Sequence, residues 1–365
     1  MRLLLLTETN AARRMWHEVL PALRGRGVEV AVGSVFGPGE LQEQIRGLGW
    51  PAFALRCRSS RGYGAGAARL ARLARRERAD VIHATEPIPG TIGGLAGRLG
   101  GRPLRVFHRQ HLEFEGNAKL NALSRAASRL NDVTLACSRS AAAHATRVDR
   151  VPPERVRVAH NAANRLRPID AAELAELRAR LGIPDGARVV SAVSRLREEK
   201  GLATLLRAAP RLAADGAGEI HVVIAGDGPY EAELRTLARE SPEVPVHFAG
   251  NQDDVAPWFA VGDVVAMPSH VEAFGVVAAE AMSAGRPLVA SAVGGLPEVV
   301  EDGVTGRLVP PRDERALAEA LLDLLRSPEE ARRMGEAGYR RFEERFTNEA
   351  MVDAWLDCYR EFGRA

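Results

Sequence analysis

Cysteine is scarce in this chain, and lysine scarcer still. The three cysteines, Cys57, Cys137 and Cys358, are far apart and odd in number, which leaves neither a disulfide framework nor a metal knuckle. No apolar run reaches the length of a membrane span, and the opening one, Leu3 to Leu6, is too short for the core of a secretory signal. These absences lead to the expectation of a cytoplasmic protein. Repeats of solenoid period and low-complexity segments are missing as well. So are a zinc knuckle, an RNA-binding aromatic motif and a helix-turn-helix signature, so nucleic acid is not an expected partner. No Asp-x-Asp pair occurs anywhere, so the carboxylate clamp that would hold a bridging metal is lacking. Of the fifty basic residues only two, Lys119 and Lys200, are lysines. A compact ammonium kept in such a background marks a place where a point charge matters.

What is present is ordinary for a globular protein: 46% hydrophobic and 27% charged residues over 365 positions. That length exceeds what one core usually supports, so two domains are expected. The net charge of +3 conceals a division, because residues 1–165 hold 27 basic against 13 acidic side chains and residues 166–365 hold 23 against 34. A basic first half suits an anionic partner: a membrane surface, a phosphorylated acceptor or nucleic acid. Docking of oppositely charged halves accounts for it equally well.

Short β-branched runs alternate with amphipathic stretches throughout. Expected strands are Arg2–Leu6, Val28–Ser34, Ala79–His83, Leu104–His108, Val133–Ser138 and Val156–His160, then Arg188–Ser194, His221–Ala225, Val246–Ala249, Val264–Met267 and Pro287–Ala290. Strand–helix alternation means parallel α/β sheets, here two doubly wound domains facing across a cleft. The rhythm breaks near "NAANRLRPID", which sets an expected division into 1–165, 166–345 and a terminal helix over 346–365 whose aromatics need a surface to cover.

Three motifs carry chemistry. In "SAVSRLREEKG", Arg195 and Lys200 follow a strand directly, at the carboxyl end where such sheets bind ligands. A guanidinium fork and an ammonium suit phosphate oxygens, although a solvated charged loop reads the same way. In "VVIAGDGPYEAELRTLA" a strand ends in Gly-Asp-Gly-Pro; a tight turn explains it unaided. In "PSHVEAFGVVAAEAMSAG", Gly275 would open a helix over Val276–Ala284 whose first amides form an anion site. Glu280, on its second turn, could accept hydrogen bonds from a ribose diol, and Glu272 from another hydroxylated group. A carboxylate in so apolar a run is costly unless it binds something. Together these residues describe a nucleoside diphosphate carrying a sugar, held by cations and amides without a metal.

At this point the sequence resembles the retaining GT-B glycosyltransferases of family 4. The family's Glu-x7-Glu is matched by "EAFGVVAAE", its Arg-Leu-x3-Lys-Gly by "RLREEKG" and its Gly-Asp-Gly-Pro by residues 226–229; "VGGLPEVVEDGVTG" also agrees. The resemblance spans nearly the whole chain and is strongest in the second half. It implies that Arg195 and Lys200 hold the donor phosphates and stabilise the leaving nucleoside diphosphate. It gives the diphosphate and sugar to amides around Phe274, Gly275, Val276 and Val277, the sugar hydroxyls to Glu272, the ribose to Glu280, and the base to Asn251. In "RVFHRQH" it implies a donor-sugar histidine after the strand, His111, with His108 as the alternate. It also implies that the terminal helix crosses back to the first domain. The chain departs from the family at "TETNAARRMWH", which lacks the usual Gly-Gly loop on the acceptor side, and at Ala162, Asn164 and Ser194.

The arginines of "RCRSSRGYGAGAARLARLARRERAD", with Leu70, Leu73 and Ala74 at helical spacing, read either as a helix packed on the sheet or as one lying on anionic lipid. Packing is the preferred reading. The expected activity is therefore metal-independent transfer of a sugar from a nucleoside-diphosphate sugar to an acceptor hydroxyl, with retention and with peripheral membrane contact left open. The rivals are another GT-B enzyme, such as an epimerase or phosphorylase, and a non-catalytic sugar-nucleotide-binding protein.

Overall fold

The structure, a computed structural model, describes all residues except 12–13, 102, 113–116, 215–217 and 364–365. Part of the departing loop "TETNAARRMWH" thus lies outside the described residues. The chain forms two units, Met1–Ala162 with Asn348–Ala365, and Ala163–Thr347. The sequence division at 165/166 falls three residues later than this one.

The first unit holds seven strands: β1 Arg2–Thr7, β2 Glu29–Ser34, β3 Ala52–Ala54, β4 Val81–Thr85, β5 Leu104–Arg109, β6 Val133–Ala136 and β7 Val156–Val158. They pair in parallel in the order β3-β2-β1-β4-β5-β6-β7. Successive leucines of β1 face opposite sides, Leu3 and Leu5 into one core and Leu4 and Leu6 into the other. A strand buried on both faces therefore reads as an unbroken apolar run. The arginine-bearing helix Tyr63–Arg76 packs Ala67, Leu70, Ala71 and Ala74 into the second of these cores and leaves Arg69, Arg72, Arg75 and Arg76 exposed. Its apolar stripe is a core face.

The last helix, Asn348–Phe362, belongs to this unit. Met351, Val352, Trp355, Leu356 and Tyr359 fall at helical spacing and are buried with Trp16, Val19, Leu20 and Leu23 in the core that holds Leu3 and Leu5. At its rim Arg26 Nη2 donates to Asp353 Oδ2 (2.7 Å) and Arg157 Nε to Glu361 Oε2 (2.9 Å). Some of the basic excess of the first half is thus met by acidic residues from the far end of the chain.

The second unit holds β8 Arg188–Val193, β9 Ile220–Ala225, β10 Val246–Gly250, β11 Val264–Met267, β12 Leu288–Ser291 and β13 Gly306–Val309, parallel in the order β10-β9-β8-β11-β12-β13. Two strands, β3 and β13, were not expected. Both are edge strands of three and four residues with one neighbour each, too short to show a pattern. In each sheet the order reverses once, between β1 and β4 and between β8 and β11. Such reversals open a crevice beyond the strands' carboxyl ends, where ligands bind in this architecture.

Candidate active site

In the second unit the residues singled out from the sequence gather at the β8/β11 reversal. Arg195 and Lys200 follow β8, and Glu272 follows β11. Lys200 Nζ donates to Glu272 Oε2 at 2.7 Å, with side chains only 23% and 14% exposed. The ammonium and the carboxylate, expected to meet different parts of a ligand, thus neutralise one another. Arg195 is exposed and has no ion-pair partner among the described residues.

Backbone packing sets this geometry. Gly294 adopts φ +54°, and a Cβ there would fall 1.7 Å from the Glu272 carbonyl oxygen. The neighbouring Gly295 amide donates to that same oxygen at 3.1 Å, so the turn after β12 props the Glu272 loop. At Gly226, φ +136°, a Cβ would meet the Ser194 carbonyl at 1.8 Å, while the Leu196 amide donates to Asp227 O at 2.7 Å. The Gly-Asp-Gly-Pro turn is therefore tight because the chain around Arg195 lies against it. No side chain larger than hydrogen fits at this contact.

Beside that contact lies a cavity of about 490 Å³ lined by Arg195, Gly226, Gly228, Asn251, Gln252 and Val277, among others. Lys200, Glu272 and Glu280 are not in its wall. The helix starts where the sequence placed it, at Val276, and ends one residue earlier, at Ser283. Gly275 caps it at φ +109°, and the amides of Val276 and Val277 donate to no acceptor among the described residues. They retain the partial positive charge of a helix start. Phe274 is buried, its ring edge-on to Phe346 at 5.7 Å. Glu280 sits one turn into the helix, half-buried.

In the first unit, His111 lies just beyond β5, its side chain 46% exposed, with Nε2 at 2.8 Å from Glu86 Oε2. Its alternate, His108, is inside β5 and fully buried against Trp355 and His83, with both ring nitrogens unpartnered; burial pushes its pKa down to about 4. The loop carrying His111 is pinned by a group that sequence reasoning missed. Arg109 is buried in an ion pair with Asp149, donates to Ser124 Oγ at 2.7 Å and reaches the Leu112 carbonyl. Glu8, just after β1, was missed too, and burial with the nearby Glu86 charge raises its pKa.

The family described as "Glycosyl transferases group 1" matches residues 174–341, and "Glycosyltransferase Family 4" matches residues 12–165. The chain belongs to the family 4 glycosyltransferases. This glycosyltransferase is 27% identical over 299 residues to N-acetyl-alpha-D-glucosaminyl L-malate synthase of Bacillus anthracis, covering 80% of this chain and 77% of that protein. It is 32% identical over 295 residues to a D-inositol 3-phosphate glycosyltransferase of Streptomyces coelicolor, covering 72% of this chain and 64% of that one. Among solved structures, Anabaena Alr3699/HepE in complex with UDP superposes with a TM-score of 0.84 at 24% identity, over 99% of this chain and 100% of that one. WaaG, a glycosyltransferase involved in lipopolysaccharide biosynthesis, gives a TM-score of 0.69 at 17% identity, over 98% and 99%. The fold is GT-B, built of two Rossmann-like domains. Among the described residues no helix is long and apolar enough to cross a membrane.

Proposed function

We propose that this glycosyltransferase moves a sugar from a nucleoside-diphosphate sugar to an acceptor hydroxyl with retention and without a metal. The observation that carries the reading is the group at the β8/β11 reversal: a paired ammonium, with a guanidinium and two amides that have no partner among the described residues, beside a cavity of about 490 Å³ that reaches Asn251. The absence of an Asp-x-Asp pair supports metal-free binding. The complexes of Anabaena HepE with UDP and UDP-glucose support a uridine donor. The relatives named for L-malate and inositol 3-phosphate, together with the basic first half, support a small anionic acceptor. Contact with anionic lipid would rest on the exposed arginines of Tyr63–Arg76 alone.

The chemical problem is departure of a diphosphate from an anomeric carbon that gains positive charge. Stabilising the leaving group is the largest contribution such a site can make. A diphosphate beside Lys200 competes with Glu272 for the ammonium. Binding therefore turns one internal ion pair into a phosphate–ammonium contact and a carboxylate free for sugar hydroxyls. Arg195 adds a second cation, Asn251 faces the base, Glu280 the ribose and His111 the sugar. In a front-face route the departing phosphate takes the acceptor's proton, so no protein base is needed.

The test is a panel of nucleotide sugars scored first for thermal stabilisation, which reports binding to the folded state, and then for transfer to malate and inositol phosphates, with EDTA present. A stabilising donor that yields an α-linked product from an α-linked donor supports the reading. Free epimerised nucleotide sugar, sugar 1-phosphate as product, or binding without turnover would each point to one of the rivals.

A further inference from the structure

We propose that His270 is a positioning residue for Lys200. With Thr204 it clasps the turn that carries the ammonium onto the end of β11, and so keeps Lys200 in place once a diphosphate has drawn it away from Glu272. The inference rests on the reading of Lys200 and Glu272 given above and adds two residues that neither the motifs nor the comparisons single out.

The need for such a clasp follows from the ion pair. Lys200 Nζ and Glu272 Oε2 join the two loops at 2.7 Å, but a diphosphate that takes the ammonium breaks that contact. The pair cannot then hold the loops in register during the reaction. Three other contacts join the same two stretches of chain. The His270 amide donates to the Glu199 carbonyl, inside the turn Glu198–Lys200, at 2.8 Å. Gly201 lies so close to Pro268 that a Cβ would fall 1.9 Å from its carbonyl oxygen. The third contact is made by side chains: His270 Nε2 and Thr204 Oγ1 share a hydrogen bond of 3.2 Å.

Only the third contact depends on the residue at position 270. Backbone bonds survive most substitutions, whereas the bond to Thr204 needs the imidazole. Thr204 is 5% exposed and lies in the first turn of helix Leu202–Ala214, its amide donating to the Gly201 carbonyl at 2.8 Å. Among the described residues its hydroxyl has no other hydrogen-bond partner than His270. A buried hydroxyl left without a partner is costly, so the two side chains hold each other. The ring lies against Gly201, where a Cβ would stand 3.0 Å from His270 Cδ2, and its Nδ1 is buried without a partner among the described residues. One nitrogen thus anchors the imidazole, and it is anchored to the helix start that follows Lys200. Burial lowers the His270 pKa; Arg312 acts in the same direction, Glu198 opposes and Arg207 assists. A neutral ring brings no further charge to the Lys200–Glu272 pair.

The chain's two lysines give the test its probe. Labelling the full chain with ¹⁵N-lysine yields two backbone amide signals, and Lys119→Arg assigns the remaining one to Lys200. The Lys200 amide donates to the Arg197 carbonyl at 3.1 Å, so its hydrogen exchange reports whether the turn is closed. Glu272→Gln removes the ion pair without a ligand. In that background exchange should speed up about tenfold when Thr204→Val or His270→Phe is added, and no further when both are. In the otherwise unchanged chain, with UDP-glucose as probe, hydrolysis kcat should fall about tenfold in each single variant and in the double one alike, with KM little changed. The double variant leaves neither group unpaired, so its Tm should return close to the parent's while its kcat stays low. Unaltered exchange on adding Thr204→Val overturns the proposal, as does parental kcat in the single variants. So does a double variant that recovers kcat along with Tm, because the contact would then serve stability alone. The exchange measurement decides the clasp whatever the donor. If it responds as expected while Lys200→Ala hydrolyses UDP-glucose as fast as the parent, the clasp stands and it is the role given to Lys200 that fails.

Discussion

Lys200 and Glu272, 72 positions apart in sequence, meet at 2.7 Å where the second sheet reverses. Each is the other's counter-charge, and the pair is largely shielded from water. Removing one partner leaves a poorly solvated charge, whereas removing both does not. Lys200→Ala and Glu272→Ala should therefore each lose about 1–2 kcal/mol of stability, and Lys200→Met with Glu272→Leu should regain most of it. All three should be inactive, by about a hundredfold or more in turnover. Urea denaturation with transfer assays on the same samples separates the two effects. Single variants with near-parental transfer would remove this pair from the site.

Gly294 should be intolerant for a reason that reaches that pair. An alanine methyl would press on the Glu272 carbonyl from a backbone conformation that L residues avoid. Gly294→Ala should cost about 1–3 kcal/mol and displace Glu272 from Lys200, so activity falls even where the variant is still folded. The check is the donor-hydrolysis rate at a temperature well below the variant's Tm. By contrast, at Gly186 nothing stands within 4 Å of a Cβ, although its φ is +83°, so Gly186→Ala should lose only modest stability and no activity.

The buried histidines predict a pH dependence of stability. His83 and His108 lie together in the first unit under Trp355 and Tyr359, and His83 Nδ1 is hydrogen-bonded to the Tyr359 hydroxyl. Burial lowers both pKa values, that of His108 to about 4. A histidine kept neutral by folding contributes its full stability above the unfolded pKa, near 6.5. That contribution is lost as pH falls from there toward the folded value, because the unfolded chain binds the proton first. Stability should thus drop between pH 6.5 and 4. His108→Phe, which removes two unpartnered nitrogens, should flatten that slope and raise stability at pH 5.5. Glu8, whose pKa is raised, acts in the opposite sense, so the comparison with the variant isolates the histidine. Denaturant titrations of both proteins at pH 7.5 and 5.5 suffice.

The terminal helix should behave as core. Trp355→Ala removes a side chain that is 2% exposed and should cost about 3–5 kcal/mol, whereas Arg360→Ala, on an exposed pair with Asp357, should change stability by under about 0.5 kcal/mol. Circular dichroism melts of the two variants provide the comparison.

The central strands could be read from the sequence because burial on both faces writes itself as a run of β-branched and leucine residues, as in Leu3–Leu6. The edges β3 and β13 could not, since three or four residues with one neighbour leave no pattern. Within the site, Arg195, Lys200, Glu272 and the start at Gly275 were legible because spacing and an odd polarity mark them. What was hidden is what depends on tertiary meeting. Nothing in "EEK" and "VEAF" tells that Lys200 pairs with Glu272. Nothing in "FHRQH" tells that Arg109 is buried with Asp149, although the expected strand Leu104–His108 already put His108 inside the sheet and His111 beyond it.

The central claim is that the second unit holds a diphosphate with Arg195, Lys200 and the amides of Val276 and Val277. Crystals soaked in EDTA with whichever nucleoside diphosphate stabilises the protein most would test it directly. The account predicts pyrophosphate oxygens on the Lys200 ammonium and the helix start, with Glu272 turned away from Lys200 and the base beside Asn251. Pyrophosphate bound elsewhere with the Lys200–Glu272 pair intact, or binding only when magnesium replaces EDTA, would contradict it.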